Sequence, residues 1–197
     1  MILVIETATT ACSVALIDGD RVIARHHAEG ARGHAERLIP MIADLPAGGR
    51  AEAILVNCGP GSFTGVRVGI AAARALGLGW GVPVTGYTTH ALLAARLFHD
   101  HPDLDDALIA IEGGHGEIFI QPFARAPLAP LAPLASVRPE SAPIWRCAAG
   151  SAAPQIAGAA AYDVAPDAAD ARHLPAVLRS APPDPVYGRA PDAKPNP

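Results

Sequence analysis

Apolar and polar positions alternate, then cluster, in a way that divides the first hundred residues into short elements. Residues 1–7, Cys12–Asp18 and Arg21–Ala28 read as three β-strands, the last two joined by the turn Asp18-Gly19-Asp20. The period then becomes helical over residues 34–45, with Leu38, Met41, Ile42 and Leu45 on one face. Pro40 inside that pattern predicts a kink, and Leu45-Pro46-Ala47-Gly48-Gly49 ends the helix. Residues 53–56 form a short apolar run that reads as a buried strand.

The most informative stretch follows, from Asn57 to Gly79. Gly59-Pro60-Gly61 predicts a tight turn, because two glycines reach φ values closed to other residues. Ser62 or Thr64 caps the long helix that begins there. Strand, turn and helix N-terminus could cradle an anion. The spacing is nevertheless wrong for a P-loop, since Gly61 and Gly65 are four apart, and Lys194 is the chain's only lysine. A dinucleotide fingerprint fails as well, with Thr64 where its third glycine belongs. A structural turn that seats the helix closely on its sheet is the better reading. At 100° per residue Gly65, Gly69, Ala72, Leu76 and Trp80 share one side, expected to face the sheet. Arg67 and Arg74 point away, with Ile70, Ala71 and Leu78 beside them. An apolar strip edged by arginine suits a partner helix better than water.

Residues 82–88 read as a further strand and 89–99 as a helix with Leu92, Leu93 and Leu97 as core. Composition shifts at HPDLDD, which predicts a lobe boundary, giving lobes of 1–99 and 100–197. Within the second, residues 108–111 and 117–123 form a hairpin around Gly113-Gly114. The repeat APLAPLAPLA, residues 126–135, reads as a rigid surface loop, with a polyproline recognition segment as the alternative. Residues 144–148 suggest a strand and 168–180 a helix. The tail from Pro182 is expected along the surface.

Composition narrows the function. Half of the 197 residues are hydrophobic and the net charge is −4, with no basic run. Tight direct binding to nucleic acid is not expected, because neutralising phosphates supplies most such affinity. Cys12, Cys58 and Cys147 are scattered and read as reduced, buried thiols, without disulfide or zinc spacing. Neither a signal peptide nor a membrane span is visible, so the expected location is cytoplasmic. His34 has no companion three or four residues away and reads as a capping or surface histidine.

GPGSFTGVRVG at residues 59–69 resembles the signature of the TsaB (YeaZ) family of bacterial tRNA-modification proteins. ILVIETATTACSVAL, HAERLIPMI and the tail YGRAPDAKP resemble the same family at matching places. The resemblance implies an α/β fold of two lobes, actin-like and ribonuclease-H-like, with the second lobe reduced. It also implies a non-catalytic subunit that pairs with the paralogue TsaD, and with the ATPase TsaE, in transferring threonylcarbamoyl to the adenosine beside the tRNA anticodon. Contact with tRNA would come only through that complex. The family pairs through first-lobe helices, and the same surface can serve a homodimer. Carried onto this chain, that surface is Ala35, Ile39, Arg67, Ile70, Ala71, Arg74 and Leu78. Ile70→Glu should then disturb pairing and spare the fold, whereas Gly69→Leu should do the reverse.

Three departures from related sequences bear on catalysis. Glu6 stands where the family usually has Asp, in a Glu6-Thr7-Ala8-Thr9-Thr10 stretch lacking a phosphate-loop glycine. Glu112-Gly113-Gly114-His115 occupies a turn that is often basic in the family. Thr89 and Leu93 fall where TsaD carries its metal-binding histidine pair. No catalytic residue, metal or cofactor is therefore expected, and a nucleotide at the partner interface is not predicted from the residues. An actin-like ATPase or kinase, or an M22-type metallopeptidase, is the alternative, and each lacks its motif here.

Overall fold

The computed structural model describes residues 1–30 and 33–189. The first three strands are β1 (Ile2–Glu6), β2 (Cys12–Asp18) and β3 (Arg21–Ala28). After them come α1 (His34–Ala43), β4 (Ala53–Asn57), α2 (Phe63–Trp80), β5 (Val84–Tyr87) and α3 (Thr89–Asp100). The five strands form one sheet in the order β3-β2-β1-β4-β5, antiparallel across β1–β3 and parallel from β1 to β5. β1 sits at its centre, which is why Leu3, Val4 and Ile5 are all buried. Alternate side chains serve two layers. Leu3 and Ile5 pack with Leu38 and Ile42 of α1 and Val66 and Ile70 of α2, while Val4 joins the core around α3.

The second sheet contains β6 (Asp106–Gly114), β7 (Glu117–Ala124), β8 (Ala129–Pro130), β9 (Ala135–Val137), β10 (Cys147–Ala149) and β11 (Ala160–Tyr162). Its order is β11-β10-β6-β7-β8, with β9 also paired to β7. Both sheets pack on α3, whose Leu92, Leu93 and Leu97 share one core with Val4, Leu55, Ile109 and Phe119. This is the two-lobed actin-like α/β fold that the family resemblance implies. No helix among the described residues is long and apolar enough to cross a membrane. Cys12, Cys58 and Cys147 are buried free thiols.

Several local expectations change. The helix expected over 168–180 is two short pieces of 3-10 helix, Ala168–His173 and Ala176–Arg179. Pro175 separates them, since it offers no N–H to continue a helix. Pro83 likewise delays β5 to Val84, and the strand expected at 144–148 begins only at Cys147. α1 ends at Ala43, beyond which Ala47, Gly48 and Gly49 all have positive φ. The proline repeat lays β8 and β9 against β7 instead of looping free.

One ion pair fastens the turn Ala168–His173 to α3. Asp170 is only 2% exposed and accepts both 3.1 and 3.2 Å bonds from Arg96 Nη1. Burial outweighs the arginine here and holds the Asp170 carboxyl above its usual value. Arg96→Ala would leave that carboxyl buried and unpaired, though Arg96 itself is partly open to water. The expected loss is about 1–2 kcal/mol, seen as a lower urea midpoint with unchanged slope.

Candidate functional site

Two surfaces meet at the turn between β4 and α2. On one side lies the cleft between the lobes, and on the other the outer face of α1 and α2. The turn itself is pinned by a buried polar network. Asn57 Oδ1 accepts from Gly59 N at 2.6 Å and from Thr89 Oγ1 at 3.1 Å. Asn57 Nδ2 donates to Glu6 Oε2, which also accepts from Tyr87 OH at 3.1 Å. Glu6 Oε1 accepts from Ala8 N at 2.8 Å. Glu6 is fully buried, and that burial raises its carboxyl to about 7 against the pull of these donors.

The glycines serve packing. A Cβ at Gly61 would strike Ala8 O, at Gly65 Thr7 O, and at Gly69 Thr7 Oγ1. Thr7 Oγ1 in turn donates to Gly65 O at 2.8 Å. Ser62 is the cap of α2, its hydroxyl accepting from Gly65 N. The first turn of α2 is thus pressed onto the end of β1, in keeping with a structural turn.

The cleft encloses about 430 Å³ and presents Thr9, Thr10, Ser62, Ser151, Glu112 and Asp163. Its described lining offers hydroxyls and carboxylates with no Lys, Arg or His, a poor setting for polyphosphate. Metal chemistry has no better footing in these residues. The single Thr89 hydroxyl proton is shared between Pro60 O at 2.7 Å and Asn57 Oδ1 at 3.1 Å, and Leu93 is buried in the core. Among the described residues no three His, Cys, Asp or Glu side chains converge as a ligand set. Adjacent His90 is buried, bonds Phe119 O at 3.0 Å, and is pushed down to about 4 by burial. His34 departs from its sequence reading, for it is buried and its Nε2 meets Thr9 O at 2.8 Å, while Gly33 is the cap residue.

On the outer face of α1 and α2, Ala35, Ile39, Arg67, Ala71, Arg74 and Leu78 are exposed. Leu78 is 88% exposed and Ile39 50%. Ile70 is the exception: at 4% exposure it lies in the core with Leu38 and Ile42 of α1. Its assignment to an outward strip is overturned, because α1 covers the side of α2 that carries Val66, Ile70 and Ala73. Between the helix starts runs a groove of about 380 Å³ lined by Gly33, His34, Ala35, Thr64 and Val68.

Two contributors to this face lie beyond any local pattern. Phe63, 57% exposed, stacks on Tyr187 of the tail at a centroid distance of 5.8 Å. Arg67 sits 3.6 Å above the Phe63 ring and donates to Tyr187 OH at 2.8 and 3.2 Å. Arg74 pairs with Asp184 and donates to Pro183 O at 3.0 Å. The tail reaches this place by pairing Ala181 with Gly86 at the β5 edge and by Val186 N bonding Cys58 O at 2.7 Å. It therefore lies along the surface to Arg189, while the end of the motif, residues 190–195 with Lys194, is outside the described residues.

Known proteins resemble this arrangement in both fold and sequence. A family model described as TsaD, tRNA N6-adenosine threonylcarbamoyltransferase, matches residues 23–125. YeaZ from Pseudomonas aeruginosa superposes with a TM-score of 0.74 at 28% identity, covering 86% of this chain and 87% of that one. TsaB of Escherichia coli K12 is 37% identical over 129 residues, 63% of this chain and 55% of that protein. TsaB of Bacillus subtilis 168 is 32% identical over 103 residues, 50% of this chain and 45% of that protein. The chain spans about half the length of the curated relatives it matches. Fold and match together define a two-lobed actin-like protein related to the TsaD transferases. Within that class, the chain belongs to the TsaB (YeaZ) family.

Proposed function

We propose that this chain is a catalytically silent subunit in tRNA threonylcarbamoyladenosine biosynthesis. It docks a TsaD-type partner on α1 and α2 of the lobe at 1–99, while 100–197 forms the smaller lobe. A TsaE-type ATPase joins the same assembly, the location is cytoplasmic, and a second copy can use the same face. The observation that carries this reading is the exposed apolar strip of Ile39, Phe63 and Leu78, set among Arg67 and Arg74, in a chain of the TsaB family. Tyr187 joins the strip, whereas Ile70 drops out of it.

The test has two arms. Depleting the protein is expected to remove threonylcarbamoyladenosine from cellular tRNA, measured by nucleoside chromatography, and the purified chain alone is expected not to restore it. Unchanged levels sink the reading. Leu78→Glu is expected to weaken binding to the TsaD-type partner by roughly 10- to 100-fold, the effect of removing a central side chain from an interface. Its thermal melt should stay close to that of the parent, because Leu78 is already in water. Undiminished pairing would move the docking surface elsewhere.

A further inference from the structure

Around the C-terminal half of α3 lies a second, open cavity of about 660 Å³, away from both surfaces described above. Its polar lining is Asp20 from the β2–β3 turn, His99 from α3, Arg125 after β7, and Arg172 with His173, over a floor that includes Phe98. Arg172 makes one hydrogen bond, Nη1 to Ala169 O at 3.3 Å, and pairs with no carboxylate among the described residues. Arg125 is anchored by Nε to Leu104 O at 2.8 Å, and its Nη2 reaches Asp105 only at 3.5 Å. The His99 and His173 rings stack with centroids 3.8 Å apart. Nε2 of His173 is buried without a partner.

Among the described lining groups Arg172 makes no ion pair, and Asp20 is the carboxylate that faces the cavity. Burial first, then His99, Arg172 and Arg96, push His173 down to about 4, with Asp100 the opposing charge. We propose that the cavity binds a protonated phosphate oxyanion, inorganic phosphate, held by Arg125 and Arg172 beside the His173 ring. The planar guanidinium fork matches a tetrahedral oxyanion at two oxygens, and two such forks, Arg125 and Arg172, line this one cavity. Asp20 adds selectivity. A carboxylate accepts and never donates, so beside the anion it favours one that carries an O–H. Hydrogen phosphate keeps such a proton near neutral pH, whereas sulfate, the phosphodiesters of RNA and the dianion of a phosphomonoester, whose second pKa is about 6, do not.

The experiment follows the imidazole nitrogen resonances of His173 by NMR while the intact chain is titrated at constant ionic strength. Inorganic phosphate, sulfate and dimethyl phosphate are the three probes. Phosphate is expected to shift the His173 resonances saturably, with the other two anions several-fold weaker. Arg172→Gln and Arg125→Gln, each checked for native circular dichroism, should each weaken phosphate roughly tenfold, the loss of one charge-assisted hydrogen bond. Asp20→Asn should bring sulfate level with phosphate. No saturable response to phosphate overturns the proposal, as does undiminished binding in both arginine variants. Sulfate or dimethyl phosphate binding as tightly as phosphate to the parent chain overturns the assigned ligand class.

Discussion

Ile70→Glu is expected to unfold this chain, where Leu78→Glu, two turns further along the same helix, leaves it folded. Ile70 is 4% exposed and packs among Leu3, Ile5, Leu38, Ile42 and Val66, all apolar. A glutamate there finds no basic partner and must either bury its charge or keep its proton at a cost. It also gives up the burial of an isoleucine. Together these amount to about 4 kcal/mol or more, a large part of the roughly 5–15 kcal/mol that holds a domain of ordinary stability. Circular dichroism melts of the two variants, run beside the parent, separate the cases. A melt for Ile70→Glu within a few degrees of the parent would show that α1 does not cover this face of α2.

The contrast between these two positions shows what periodicity can and cannot report. The sequence places Gly65 and Gly69 against the sheet, and Thr7 does lie too close there to allow a side chain. It misses that α2 has two neighbours, with β1 and β4 under the glycine edge and α1 against Val66, Ile70 and Ala73. A helix wheel resolves one buried arc; a second arc beside it looks like an exposed apolar strip until the other helix is seen. Contacts distant in sequence are illegible for a related reason. Phe63 and Tyr187 are more than a hundred residues apart, and nothing in either neighbourhood says that they stack. The buried state of His34 depends on a carbonyl in the β1–β2 connection, which no local pattern reports. Strands β1–β4, β6 and β7 are legible because each alternates, or stays apolar, over most of its length. The two- and three-residue strands β8, β9 and β11 are too short to show a period. The 3-10 turns at 168–179 escape the pattern because an alanine-rich run favours helix until Pro175 is weighed.

Glu6 shows the same limit and yields a second large effect. Its departure from the family's usual Asp stands in the sequence, but the partners that bury it come from β4 and β5. With its carboxyl raised to about 7 by burial, the folded chain keeps a proton that the unfolded chain releases near 4.5. Folding therefore takes up a proton between those values, and stability falls as pH rises across the interval. The contribution is fully present below about pH 4.5 and fully lost above about pH 7.5. Its size is about 3 kcal/mol, at about 1.36 kcal/mol for each pH unit between the unfolded and folded values. His90, neutral in the fold and lowered to about 4, works in the opposite sense and adds stability as pH climbs to 6.5. The raw profile thus mixes both, and a subtraction isolates Glu6. Glu6→Gln keeps the shape and Oε1 for Ala8 N but cannot ionise, and its NH₂ faces the Asn57 donor, a penalty that does not vary with pH. Urea unfolding of parent and Glu6→Gln from about pH 4.5 to 8 should then show the difference between them changing by about 3 kcal/mol, the variant gaining on the parent as pH rises. Parallel profiles across that range would mean that Glu6 is ionised in the fold throughout, and that Asn57 and Tyr87 hold a carboxylate, not a carboxylic acid.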